Sequence, residues 1–135
     1  MNGEDHFSGQ LSEVFHALSA PRRCWVIQLL AESDEETLSV RHLARHIAAI
    51  EEGVRPECAT GEPYRNVYNA LSQTHLSTLA DTDIIIYDSN RQTIAAGPKF
   101  DVAALLVVLN RVTYQTLQGD SIPEPANFDS TSTTD

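Results

Sequence analysis

Several features that would define a class of protein are missing from this 135-residue sequence. No run approaches the roughly 20 apolar residues that a membrane-spanning helix needs. The first ten residues also lack the basic, apolar and small-residue order of a secretory signal. The sequence therefore predicts a cytoplasmic protein without a membrane partner.

Motifs for metal binding and catalysis are missing as well. Two cysteines, Cys24 and Cys58, without C-x-x-C spacing argue against a disulfide framework and a zinc ribbon. His42 and His46 have the spacing of paired metal ligands, but neither H-E-x-x-H nor a recognisable third ligand accompanies them. We find no nucleophile motif and no phosphate-binding glycine loop. The sequence predicts no metal, no cofactor, no small-molecule ligand and no enzymatic activity.

Basic residues are few, with nine against 19 acidic ones, and Lys99 is the only lysine. Six of the acids lie near the chain ends, which leaves residues 11–118 with 13 acids and nine bases, a net charge of −4. This charge balance lacks the excess of basic residues that is usual in a DNA-binding protein. The location of the bases therefore matters more than their number.

The pattern of apolar residues predicts a mainly α-helical domain with one small β-hairpin. Helical spacing covers residues 11–18, 21–32, 40–53 and 63–76, and Pro21, Ser39 and Gly53 supply start and stop signals. Two short β segments, 84–87 and 93–96, flank a turn. We expect residues 1–9 to be disordered, residues 10–97 to form a winged helix-turn-helix DNA-binding domain, 98–118 a C-terminal helix, and 119–135 a disordered acidic tail.

The predicted fourth helix carries a polar outer face that is nearly free of acids. Its Arg, Asn and Gln side chains can match base edges and phosphates in a major groove, although a solvated helix face has the same composition. The hairpin 84–97 would be the wing, with an arginine at its tip. The candidate DNA-binding residues are Arg65, Asn66, Asn69, Gln73, Asn90 and Arg91.

Four further arginines have two interpretations. Arg22 and Arg23 start the second helix, and Arg41 and Arg45 lie one turn apart on the third. Phosphate contacts and ion pairs with the many acids account for them equally well.

The last helix is apolar on nearly all sides, which would expose apolar surface unless another chain covers it. We therefore expect a homodimer formed through this helix. The candidate dimerisation residues are Val102, Leu105, Leu106, Leu109 and Val112.

Three segments resemble haloarchaeal winged helix-turn-helix proteins of a domain-of-unknown-function family. These are VFHALSAPRR at 14–23, RNVYNALSQTHL at 65–76 and Ile86-Tyr87-Asp88, and the likeness covers about residues 11–96. Ser77 and Asp83 depart from it, since related sequences tend to have proline and glycine there. The scarcity of lysine and the excess of acids also resemble proteins of salt-loving archaea.

The resemblance implies a transcriptional regulator that works in concentrated salt, where screening weakens repulsion between an acidic surface and DNA. Together with the residue pattern it predicts a regulator that binds double-stranded DNA as a dimer. The alternative is a winged-helix protein-interaction module that does not bind DNA.

Overall fold

The computed structural model describes residues 3–119. In this part of the chain the structure is mainly helical with a small antiparallel sheet. The helices are α1 (Gly3–Ala17), α2 (Pro21–Glu32), α3 (Val40–Glu52), α4 (Gly61–Ala70), α5 (Leu76–Asp81) and α6 (Phe100–Leu117), and the strands are β1 (Thr37–Ser39), β2 (Ile85–Asp88) and β3 (Thr93–Ala96). A 3-10 turn, Pro56–Cys58, precedes α4, and a π-helical turn, Leu71–His75, joins α4 to α5. None of the described helices is long and apolar enough to cross a membrane.

The amino-terminal region differs from its expected disorder. Helix α1 begins at Gly3, so residues 3–9 are helical. Extending an existing helix adds one backbone hydrogen bond for each residue fixed, whereas starting a new helix is costly. A polar segment can therefore continue a helix that the apolar residues after it have started. The expected acidic tail, apart from Gly119, lies outside the described residues.

Local signals set the ends of α2 and α3 where the sequence predicts them. Pro21 occupies the first turn of α2, where its missing N–H costs nothing. The Ser39 hydroxyl accepts a hydrogen bond from the His42 backbone N–H at 3.0 Å and caps α3. Gly53 ends α3 in the left-handed conformation, with φ +71°.

The sheet has the strand order β1-β3-β2, and both pairings are antiparallel. The β2–β3 hairpin was predicted, whereas β1 was not, because three residues are too few for a recognisable alternation. Ile94 of β3 pairs with Leu38 of β1 on one side and with Tyr87 of β2 on the other. The hairpin is thus joined to the start of α3 through β1.

The core forms around α3, whose apolar face is buried from Val40 to Ile47, whereas Ile50 is 43% exposed. Leu43, Ala44 and Ile47 have no exposed surface, and they belong to one cluster with residues of α2, α4, α5, the hairpin and α6. Helix α3 packs most extensively on α4, and α6 packs across α2. Because α4 rests on this core, its opposite side is left facing solvent.

The junction of α5, the hairpin and α6 requires two unusual backbone positions. Asp83 has φ +63°, a left-handed backbone conformation that favours glycine. A Cβ on Gly97 would lie 2.7 Å from the Asp83 carbonyl oxygen, so no larger residue fits there without movement of the backbone. The Lys99 N–H donates to the same carbonyl at 2.8 Å, which fixes the start of α6 against the base of the hairpin.

Candidate functional site

The polar side of α4 carries the predicted contact residues, all of them exposed: Arg65, Asn66, Asn69 and Gln73. Arg65 and Asn69 are four residues apart in α4, so they lie above one another on one face. Gln73 follows within the π-helical turn. The structure thus brings the sequence-predicted residues of this helix to one solvent-facing side.

Two arginines of α3 extend this polar face. Arg41 lines a shallow depression of about 270 Å³ together with Tyr64, Arg65, Tyr68 and Asn69 of α4. The Arg45 guanidinium lies 5.7 Å from the centre of the Tyr64 ring, in cation–π geometry. We call Arg41, Arg45 and Arg65 the arginine cluster.

No described carboxylate lies within ion-pairing distance of the arginine cluster. In a chain with 19 acidic residues, three neighbouring cations without such a partner define a local positive surface. The sequence did not indicate this grouping, because Arg41 and Arg45 are separated from Arg65 by a loop.

The two arginines of α2 have structural partners instead. Arg22 donates from Nε and Nη2 to the two carboxylate oxygens of Glu51, at 2.7 and 2.8 Å. This hydrogen bonding raises the pKa of Arg22 above its ordinary value. Arg23 is buried and donates to the Ala17 carbonyl oxygen and to His75. These arginines were expected either to contact phosphate or to form ion pairs. Arg22 forms an ion pair, whereas Arg23 does neither, because its donors are used inside the protein.

His75 lies in the π-helical turn, and its Nδ1 is 3.1 Å from Nη1 of Arg23. A guanidinium can only donate, so Nδ1 accepts and the proton of the neutral imidazole is on Nε2. Burial, together with the charges of Arg23 and Arg22, lowers the pKa of His75. The contact joins the corner between α1 and α2 to the helix that carries the polar face.

The hairpin tip is ordered by Asp88. Its Oδ1 accepts hydrogen bonds from the backbone N–H groups of Asn90 and Arg91, at 3.0 and 3.1 Å. The side chains of both tip residues are exposed, and the Arg91 guanidinium lies 3.9 Å from Asp88 Oδ2. Asn90 and Arg91 therefore face solvent, as a contacting tip requires.

Gln92 follows Arg91 in the chain, and its side chain turns toward α4. Its backbone is left-handed, with φ +54°. Its side-chain carbonyl accepts from the hydroxyls of Tyr68 and Ser72, both at 3.0 Å. Its amide donates to the Tyr87 hydroxyl at 2.8 Å and to the Ser89 carbonyl at 2.9 Å. We call these four hydrogen bonds the Gln92 bridge; they fix the hairpin against α4.

The exposed side of α6 carries much of the predicted dimerisation set. Val102, Leu105 and Leu109 are 47%, 60% and 51% exposed. Val108, which was not in the predicted set, is 54% exposed. Leu106 packs against the core of its own chain, and Val112 is partly exposed.

The His42 and His46 rings stack with their centroids 4.1 Å apart, and His46 Nδ1 donates to the His42 carbonyl oxygen at 3.0 Å. Burial and the neighbouring His46 lower the pKa of His42. Among the described residues, no three His, Cys, Asp or Glu side chains lie close enough together to hold a metal ion.

Cys24 and Cys58 are free thiols, and burial raises the pKa of Cys24.

The fold is that of a small helical protein with a three-stranded antiparallel sheet and an exposed, locally basic helix face. The chain belongs to the family DUF7344, a domain of unknown function, whose model matches residues 15–95. No curated protein and no solved structure was found to match. The matched segment includes the arginine cluster and the hairpin as far as Ala95, and it excludes α6.

The Gln92 bridge generates a stability prediction. Gln92→Leu removes all four hydrogen bonds and leaves three partly buried hydroxyls without this partner. We expect the free energy of unfolding to fall by about 1–3 kcal/mol, measured by urea denaturation. The matched control is Gln73→Leu at an exposed site of the π-helical turn, where we expect a change within about 0.5 kcal/mol. Equal losses in the two variants would contradict a special role for Gln92.

The contact between Arg23 and His75 generates a pH prediction. Protonation removes the Nδ1 acceptor and places a second cation beside Arg23. Because the folded-state pKa of His75 lies below its ordinary value, this destabilisation is absent above about pH 6.5 and develops as the pH falls through the lowered pKa.

We therefore expect the wild type to lose more stability than His75→Asn when thermal unfolding is followed from about pH 7 to about pH 5. Asparagine keeps an oxygen acceptor near the position of Nδ1 but does not titrate. The other titrating groups, including His42, are common to both proteins. Parallel pH profiles would show that His75 does not carry the effect.

Proposed function

We propose that this protein is a DNA-binding transcriptional regulator of the winged helix-turn-helix type. Residues 63–76 enter the major groove, and the hairpin 84–97 is the wing. The observation that carries the proposal is the arginine cluster, which lies beside exposed amide side chains in an otherwise acidic chain. Arginine and lysine supply phosphate contacts, and arginine, asparagine and glutamine read base edges.

The order of elements is compatible with this class. Helix α3 packs on α4 as the first helix of a helix-turn-helix packs on its recognition helix, and the β2–β3 hairpin follows directly after α5. The Gln92 bridge holds the hairpin beside α4. One rigid body would thus present Arg65 from the helix and Arg91 from the tip to the same duplex.

The net charge of −10 argues against DNA binding in dilute salt. The resemblance to haloarchaeal proteins supports a cytoplasm of concentrated salt, where the Debye length is about 3 Å at 1 M. Screening there weakens repulsion from distant carboxylates, while direct contacts by the arginine cluster remain. Binding under these conditions depends on base contacts more than on counterion release.

We further propose that the regulator is a homodimer joined through α6. Val102, Leu105, Leu109 and Val112 follow one another at intervals of three, four and three residues, the spacing of a helix–helix seam. The first three of them are about half exposed. Packing against a second copy would bury this apolar stripe and place two recognition helices on one palindromic site.

The DNA-binding proposal is tested with the double variant Arg65→Ala, Gln73→Ala. Genome-wide crosslinking and immunoprecipitation of the tagged wild type should give sharp promoter peaks, and these should vanish in the variant. On a duplex taken from such a peak, each lost base contact should cost about 1–3 kcal/mol of binding free energy.

The matched control is Arg55→Ala, which removes one positive charge from an exposed site outside the arginine cluster and should keep the peaks. Both proteins must be folded and present at equal abundance. Absence of peaks in the wild type would overturn the proposal and favour the protein-interaction module.

The dimer proposal is tested with Leu105→Glu, Leu109→Glu. Two carboxylates in an apolar seam cannot be buried without a large desolvation cost, so sedimentation should give the mass of a monomer. Ala31→Glu, at an exposed position on α2, is the control and should remain dimeric. A dimer that survives both changes on α6 would show that this helix is not the interface.

A further inference from the structure

A groove of about 530 Å³ lies between the corner of α1 and α2 and the carboxyl-terminal half of α6. This volume is within the range of small-molecule sites, roughly 300–1,000 Å³. Leu18, Pro21, Trp25 and Val107 give it an apolar lining, and amide side chains from α2 and α6 border it. An apolar cleft with a few polar groups is the usual form of a site for an organic ligand.

Arg111 alone is charged among the described residues that line the groove. Its Nη1 donates to Gln28 Oε1 at 2.7 Å, which holds the guanidinium at the border of the cleft. No described carboxylate pairs with it. A guanidinium has five N–H donors, so a planar anion in the groove would find donors still available.

We propose that this groove binds a small organic carboxylate with an apolar body. The apolar part would lie against Trp25 and Val107, and the carboxylate would accept hydrogen bonds from Arg111. The proposed dimer does not compete for this site. At 100° per residue, Val107 and Arg111 lie on the side of α6 opposite to Leu105 and Leu109.

The sequence by itself predicts no small-molecule ligand, because the two parts of this site are far apart in the chain. Gln28 and Arg111 are separated by 83 positions. Neither segment contains a binding motif, and only the packing of α6 across α2 brings them together. The site does not depend on the DNA-binding proposal, since its ligand would bind in the absence of DNA.

The chain contains one tryptophan, so intrinsic tryptophan fluorescence reports on Trp25 and hence on this groove. We would titrate the full-length protein with hexanoate and with its neutral isostere hexanamide, at the same salt concentration. Hexanoate should change the fluorescence saturably, and hexanamide should bind at least about tenfold more weakly, as expected for loss of a charge-assisted hydrogen bond.

Arg111→Gln should weaken hexanoate binding by about tenfold or more and leave hexanamide binding unchanged. Arg55→Gln removes the same charge from an exposed site outside the groove and should behave as the wild type. Val107→Phe, which fills part of the groove without adding a second tryptophan, should abolish the response to both probes. Circular dichroism would confirm that each variant is folded.

Three results would overturn the proposal. Hexanoate and hexanamide could bind the wild type equally, or hexanoate could bind Arg111→Gln as well as it binds the wild type. The third result is that the full-length wild type shows no fluorescence response to hexanoate, whereas the protein without residues 120–135 does. That result would make the carboxyl-terminal segment the occupant of the groove. None of these measurements includes DNA, so failure here is distinguishable from failure of the DNA-binding proposal.

Discussion

The position of the hairpin relative to α4 depends on the side chain of Gln92. Its carbonyl oxygen accepts from two hydroxyls of the helix segment 61–75, and its amide donates to two oxygens of the hairpin. Its backbone carbonyl also accepts the Val40 N–H at 2.9 Å, which ties the same residue to the start of α3. Three elements thus meet at one residue. Because the polar groups of the side chain are fully used, rotation of the hairpin away from α4 would break several hydrogen bonds together.

Arg23 has a similar role at His75, the last residue of the π-helical turn between α4 and α5. A buried cation is costly unless its donors are satisfied. Here they go to the carbonyl oxygen of Ala17 and to neutral His75. The bonded residues Ala17 and Arg23 are directly followed in the chain by Leu18 and Cys24. Both of these following residues line the groove beside α6. A ligand in the groove would therefore contact the residues next to the bond that joins the α1–α2 corner to the π-helical turn.

The parts of the fold that were predictable are those with local signals. Pro21, Ser39 and Gly53 each act within one helical turn, and the hairpin has its turn residues between two apolar segments. The exposed candidates on α4 were predictable for the same reason, since helical spacing separates an apolar face from a polar one. Strand β1, the Gln92 bridge and the groove were not predictable. Each depends on residues that become neighbours only after the chain has folded, as Tyr68 and Gln92 do across 24 positions.

The distribution of positive charge links these observations to function. Among the eight arginines, Arg22, Arg55 and Arg91 lie within ion-pairing distance of a described carboxylate. Those that do not find one retain donors for something else. Arg23 uses its donors inside the protein, whereas Arg41 and Arg65 lie on a solvent-facing surface and Arg111 borders a cleft. The shapes of the two surfaces favour different ligands. An open helix face suits an extended polyanion, whereas a small apolar groove suits a single carboxylate. The two proposals use different arginines, so one can fail without the other.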